Sequence, residues 1–178
     1  MKSIEYTQQT ETNWEELSIS NDFLFGKVMQ NPELCRELLQ RILPDLKIHR
    51  IEYPELQKSI KSDMDARSVR LDVYVMDNRE IVYDIEMQIR DTKELPMPKR
   101  SRYYQGMMDW QIIDKGEYYK KLNKSYIIFI CLFDVYGKGR HRYTFENMCK
   151  EDKSISMGDD TAKIFLNAKG TMNDISTE

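Results

Sequence analysis

Histidine and cysteine are scarce in this chain, and their scarcity excludes several classes of chemistry. With only His49 and His141 present, zinc centres and histidine-based nucleophilic triads have little material. The three cysteines, Cys35, Cys131 and Cys149, stand far apart and form no Cys-x-x-Cys pair. That pattern predicts core thiols in a reducing compartment and argues against metal ligation. Seven glycines and five prolines are few for an all-β sandwich and fit a mixture of helices and strands. Long apolar runs are missing too: the most apolar stretch, Tyr126 to Phe133, is only strand-length, so no membrane span is expected. Residues 1–20 are polar and acidic, without the basic and apolar blocks of a signal peptide, which predicts a cytoplasmic protein. There is no global basic excess. A net charge of −3 and a pI near 5.6 argue against tight, non-specific DNA binding. Any nucleic-acid contact has to come from local clusters such as Lys99-Arg100-Ser101-Arg102 or Lys138 to Arg142.

What is present describes an α/β protein. At 178 residues, with 40% hydrophobic and 32% charged residues, the chain can bury a real core and reads as one domain. The pattern predicts a flexible arm over residues 1–18, a folded domain over 19–170 and a polar tail over 171–178. Ser20, Asn21 or Asp22 can cap a helix carrying Phe23, Phe25, Val28 and Met29 on one side. Asn31-Pro32 interrupts it, and a second helix with Leu34, Leu38, Leu39 and Ile42 runs to Leu43-Pro44. Ile48 to Leu56 predicts a strand compromised by Pro54, and Lys58 to Ser68 a charged loop. A helix is expected from about Lys99 to Asp114, burying Tyr103, Tyr104, Met107, Met108 and Ile112. Strands follow at Lys124 to Phe133, His141 to Phe145 and Ala162 to Leu166. This order predicts a layered fold with a mixed sheet.

The most informative stretch lies between. Val69, Leu71, Val73 and Val75 alternate with Arg70, Asp72, Tyr74 and Met76. Ile81, Tyr83, Ile85, Met87 and Ile89 alternate with Val82, Asp84, Glu86, Gln88 and Arg90. Two period-2 runs around Asp77-Asn78-Arg79 predict a β-hairpin. Pairing Leu71 with Ile85 and Val73 with Tyr83 leaves a turn at 77–79 and sets Asp72 opposite Asp84 and diagonal to Glu86. A two-residue shift sets Asp72 directly opposite Glu86. In either register the carboxylates come within roughly 5–8 Å on one face, which suits a shared metal ion. Mg²⁺ (or Mn²⁺) takes hard oxygen ligands: here Asp72, Glu86 and the backbone carbonyl of Met87. Such an ion activates water and neutralises charge on a phosphate, and Gln88, pointing the same way as Glu86, can orient the nucleophile. A hairpin with one wet face also alternates charges, however, and an ion-pair lattice of Arg70, Asp84 and Arg90 explains the pattern as well. Spacing alone leaves both readings open.

A resemblance runs through most of residues 21–170. Its blocks are Asn21-Asp22-Phe23-Leu24-Phe25-Gly26-Lys27-Val28-Met29, Val69-Arg70-Leu71-Asp72-Val73-Tyr74 and Tyr83-Asp84-Ile85-Glu86-Met87-Gln88. They continue through Leu95-Pro96, Lys99-Arg100-Ser101-Arg102-Tyr103-Tyr104-Gln105 and Lys124-Ser125-Tyr126-Ile127-Ile128-Phe129-Ile130. Phe133-Asp134, Gly137-Lys138-Gly139-Arg140, Tyr143-Thr144-Phe145-Glu146-Asn147 and Ile164-Phe165-Leu166-Asn167 complete the series. In this order the blocks resemble the PD-(D/E)XK nuclease family transposases, the recombination-promoting nuclease family of bacteria.

The resemblance implies a restriction-endonuclease-like core, a mixed central sheet flanked by helices, and metal-dependent endonucleolytic cleavage of DNA in mobile elements or recombination. Asp72, Glu86 and Gln88 would be catalytic, with Gln88 standing where many relatives in the wider class carry lysine. Gln is common there in this family; it removes a positive charge near the attacking water, so slower or differently assisted chemistry is expected. Arg100 and Arg102 suit phosphate contact through their planar forks, or else form a solvated helical turn. Tyr103 or Tyr104 lines the site or packs, and Asp22 supports a metal-bound water or caps its helix. Lys138, Arg140, His141 and Arg142 read as a solvated turn, and Trp14 and Trp110 as packing residues. Two departures stand out: Ala66-Arg67-Ser68 replaces a Gly/Ser-Lys-Gly step, and relatives continue beyond the Phe-Leu-Asn block into a further helical region. DNA is the expected partner, and a homodimer is one of the assemblies the sequence leaves open. The rival reading is a catalytically weak nuclease-fold module that dimerises or binds DNA without cutting.

Overall fold

The computed structural model describes residues 22–56, 59–60, 69–92, 96–113 and 118–172. The expected arm at 1–18, Trp14, the Ala66-Arg67-Ser68 step and nearly all of the expected tail lie outside the described residues. Helix α1 (Asp22–Val28) and helix α2 (Pro32–Ile42) flank the predicted Asn31-Pro32 break. Asn31 Oδ1 accepts from the N–H groups of Glu33 and Leu34 at 3.0 and 3.2 Å, while Pro32 sits in the first turn where no N–H is needed. At the other end Gln40 secures the exit before β1. Its Nε2 donates to the carbonyls of Leu43, Pro44 and Leu46, and its Oε1 accepts from Ile48 N–H.

Strand β1 (Ile51–Leu56) begins later than expected and forms one edge of the main sheet. Its register against the next strand slips between Glu52 and Glu55, around Pro54, which has no N–H to give to a ladder. Part of the expected 58–68 loop is instead strand: β2 (Ser59–Ile60) pairs antiparallel with β3 (Val69–Arg70) in a separate two-stranded ladder. Then come β4 (Val73–Asp77), β5 (Val82–Gln88), α3 (Met97–Ile112), β6 (Ser125–Cys131), β7 (Arg142–Phe145) and β8 (Thr161–Asn167). The main sheet runs β1-β4-β5-β6-β8-β7. Its β5–β6 and β6–β8 pairs are parallel and the rest antiparallel, so it is mixed, as the element order predicts. Among the described residues no helix is long and apolar enough to cross a membrane.

The hairpin adopts the shifted register. Val73 faces Ile85 and Val75 faces Tyr83, so the loop is 78–80 rather than 77–79. The buried Asp77 carboxylate explains the choice: Oδ1 accepts from Arg79 and Ile81 N–H, and Oδ2 from the Tyr83 hydroxyl at 2.9 Å. Glu80 closes the turn with φ 62°, the left-handed residue such a three-residue loop requires.

Both faces of the sheet are covered. On one, Phe25, Leu39 and Ile42 of α1 and α2 pack on Val73, Val75, Tyr83, Ile85, Ile128 and Ile164. On the other, Met97, Tyr104, Met107 and Met108 of α3 pack on Tyr74, Val82, Ile127, Phe129 and Phe165. Leu71 departs from the expected alternation: it joins the α3 side while Val73 joins the other, because the strand is interrupted at Leu71-Asp72 between β3 and β4. Trp110 is also corrected; it is 58% exposed on α3 rather than packed, and Tyr103 is 40% exposed. Cys35 and Cys131 are the predicted core thiols, whereas Cys149 lies only half-buried in the polar segment after β7.

Candidate active site

Asp72 stands where the chain leaves β3 and enters β4, the point at which it changes strand partners. Extending the Val73–Ile85 register by one residue sets it opposite Glu86, and two backbone-to-carboxylate hydrogen bonds join the strands there. Asp72 N–H donates to Glu86 Oε1 at 2.9 Å, and Met87 N–H donates to Asp72 Oδ2 at 3.2 Å. Each carboxylate is thus anchored by the other strand's backbone.

The face carrying Glu86 is dry, so the expected wet face of the hairpin is corrected here; the side chain of Arg70, the central member of the ion-pair reading, lies outside the described residues. Asp84 and Glu86 are both fully buried beneath α3. Arg90, a member of that supposed lattice, is exposed, and its carbonyl accepts from Gln88 Nε2 at 2.8 Å. The cation that does serve the face is Arg100, one turn into α3. Nη2 donates to Glu86 Oε2 at 2.6 Å, Nη1 to Gln88 Oε1 at 2.6 Å and Nε to the Tyr104 hydroxyl at 2.8 Å. Its guanidinium lies 4.8 Å from the Tyr104 ring centre and 5.3 Å from that of Phe129. The solvated-turn reading therefore fails for Arg100 and holds for Arg102, which is exposed.

The structure thus brings Asp72, Glu86, Met87, Gln88, Arg100 and Tyr104 together and leaves Arg102 outside. Asp22 opens α1, whose Phe25 and Met29 pack on the opposite face of the sheet; its side chain is outside the described residues. Sequence reasoning set Asp84 on this face, with Glu86 and Gln88, but missed its burial, which depends on a helix more than ten residues away in sequence.

Charge is unbalanced here. No donor reaches either oxygen of Asp84 among the described residues. Burial, reinforced by the negative charges of Glu86 and Asp72, holds the Asp84 carboxyl well above the usual range. Burial and Asp72 push Glu86 up to about 8, with Arg100 pulling the other way. Asp84 and Glu86 thus both hold a proton more tightly than an exposed carboxyl does, and Arg100 favours the ionised form of each. Asp72, Asp84 and Glu86 lie close enough for the negative charge of one to disfavour ionisation of another, and a hard cation would relieve that repulsion. Among the described residues no three acidic, histidine or cysteine side chains form a ready cage. Mg²⁺ does not require one: it commonly takes one or two carboxylates and keeps several waters. The donor set of Asp72, Glu86 and the adjoining Met87 carbonyl fits that habit.

A helix-flanked mixed sheet with an acidic pair on neighbouring strands defines the restriction-endonuclease-like class. The chain belongs to the PD-(D/E)XK nuclease family transposases, whose family profile matches residues 20–173. A search of curated proteins returned no match. Membership gives the chain the PD-(D/E)XK nuclease fold and a nuclease-like role.

Proposed function

We propose that the protein is a divalent-metal-dependent endonuclease that hydrolyses DNA phosphodiester bonds, with Asp72, Glu86 and Gln88 as its catalytic residues. The observation that carries this reading is the pair of backbone-to-carboxylate hydrogen bonds across the two strands, Asp72 N–H to Glu86 and Met87 N–H to Asp72, which hold two acids side by side. These bonds hold two carboxylates in fixed orientations, so little ordering is left to be done when a cation arrives. Asp72, Glu86 and the Met87 carbonyl would hold Mg²⁺ or Mn²⁺, which supplies an acidified water and charge neutralisation at phosphorus. Hydrolysis replaces one P–O ester bond by P–OH, and the water's proton ends on the departing sugar oxygen. The dry floor of Tyr104 and Phe129 strengthens every charge interaction above it.

Residues 19–170 would act as one nuclease domain, in a reducing cytoplasm that suits three free thiols. The test is nicking of supercoiled plasmid with Mg²⁺ or Mn²⁺, comparing wild type with Asp72→Ala and Glu86→Ala. A loss of at least about a hundredfold in each variant is expected from removing an electrostatic anchor of the reaction. Undiminished nicking in both variants ends the assignment.

One observation favours a second reading, a nuclease-fold module that binds or dimerises without cutting. Arg100 already occupies Glu86 and Gln88, and an arginine-clasped acid is a stable end state in itself. Calorimetric titration with Mn²⁺ separates the two: heat that vanishes in Asp72→Ala supports the enzyme, and no heat in wild type supports the module.

A further inference from the structure

We infer that Arg100 carries the positive charge of this site, and that Gln88 is the residue that positions it, an inference that rests on the nuclease reading above. Gln88 is neutral, so it supplies no charge itself. Its amide is oriented: Nε2 donates to Arg90 O at 2.8 Å, which leaves Oε1 facing Arg100 Nη1 at 2.6 Å. A carbonyl oxygen can hold a guanidinium, and an ammonium at the same place would repel it.

Arg100 is fixed by three bonds from three different nitrogens, to Glu86, Gln88 and Tyr104, and lies over two aromatic rings. That is a preorganised cation, held by its neighbours before any substrate arrives. Of the guanidinium's five N–H donors three are spent, leaving one on each terminal nitrogen. Arginine stays charged throughout the working pH range, so these donors serve an anion at any pH at which the protein works. Gln88 and Arg100, from a strand and a helix, thus share between two side chains what one cationic side chain at 88 would do alone.

The consequence runs against intuition: a lysine at 88 should harm the protein, and moving the charge should repair it. Gln88→Lys, Arg100→Gln, the double variant Gln88→Lys/Arg100→Gln and Arg100→Lys are compared by plasmid nicking with Mn²⁺, with kcat and KM separated, and by thermal midpoint. Gln88→Lys is expected to lower the midpoint and to cut kcat at least tenfold. Arg100→Gln is expected to cut kcat similarly with KM little changed. The double variant should recover most of the kcat lost by Gln88→Lys, and Arg100→Lys should retain more kcat than Arg100→Gln. A Gln88→Lys protein as fast as wild type overturns the inference. So does a double variant that folds as stably as wild type yet stays as slow as Arg100→Gln. If Gln88→Lys does not fold, Arg100→Lys decides, and a rate no better than Arg100→Gln is a failure. Wild type that nicks nothing overturns the nuclease reading and takes this inference with it, whereas an active wild type with either failure above overturns the inference alone.

Discussion

Asp84 shows how much a single side chain depends on what covers it. In the sequence it is one of several charged residues alternating along a strand; in the fold it is a carboxyl with no donor at either oxygen, next to Glu86. Both groups bind a proton more tightly folded than unfolded, because burial and neighbouring negative charge raise them. Folding therefore takes up protons between the ordinary carboxyl range and about 8, and this contribution to stability falls as pH rises through that window. Asp84→Asn keeps the shape and gives Glu86 a permanent donor. It should raise the unfolding free energy at pH 8 by roughly 1–3 kcal/mol, with little change at pH 5. Urea denaturation at the two pH values checks this, and a loss of stability at pH 8 would mean that Asp84 is ionised and paired. Asp72, Glu86 and Gln88 were legible as candidates because residue type and period-2 spacing are local facts. The clasp of Arg100 was not, because nothing in Lys99-Arg100-Ser101-Arg102 says which arginine turns inward.

The β4–β5 hairpin is the element that sets the site. Alternation alone allowed two registers, because a shift of two residues keeps every apolar side chain on its face. Local turn chemistry decided between them, through the three acceptances of Asp77 and the left-handed Glu80. A residue with a Cβ is strained at φ 62°, so Glu80→Gly should stabilise the protein by roughly 0.5–1 kcal/mol, with nicking unchanged, since the loop lies at the end of β5 away from Gln88. A chemical denaturation curve reads this directly; a destabilised variant would show that Glu80 serves another contact. Helix α3 was placed by sequence within two residues at each end, at Met97–Ile112 against Lys99 to Asp114. Its role as the lid over Asp84 and Glu86 was not visible, because a mixed face of Arg, Ser, Tyr and Gln reads as polar until each finds its partner. Gln105 illustrates the point: its Nε2 donates to Ser125 Oγ at 2.8 Å and to Asp109 Oδ1 at 2.9 Å inside the packed layer.

At the scale of the whole molecule, two contacts far apart in sequence close the fold around the site. Arg142 Nη1 on β7 donates to Ile42 O at the end of α2, at 2.6 Å. On the α3 side, Phe129 and Phe165 stack with ring centres 5.5 Å apart, and Tyr136 meets the edge of Phe165. Phe129 is also the floor beneath Arg100, so this stack connects general stability to the site. Phe165→Ala should cost about 3–5 kcal/mol by leaving a cavity on the strand next to Phe129. Calorimetry of thermal unfolding measures it, and a cost under about 1 kcal/mol would mean that the layer collapses to fill the gap.

The sequence by itself determined the class of fold, the hairpin and the pair of acids it carries, because periodicity, capping and turn residues act over a few neighbours along the chain. Tertiary structure decided that the acidic face is dry, and that Arg100 rather than Arg102 serves it. Those outcomes depend on one layer being laid over another, and burial is a property of the assembled layers that no short stretch of residues contains.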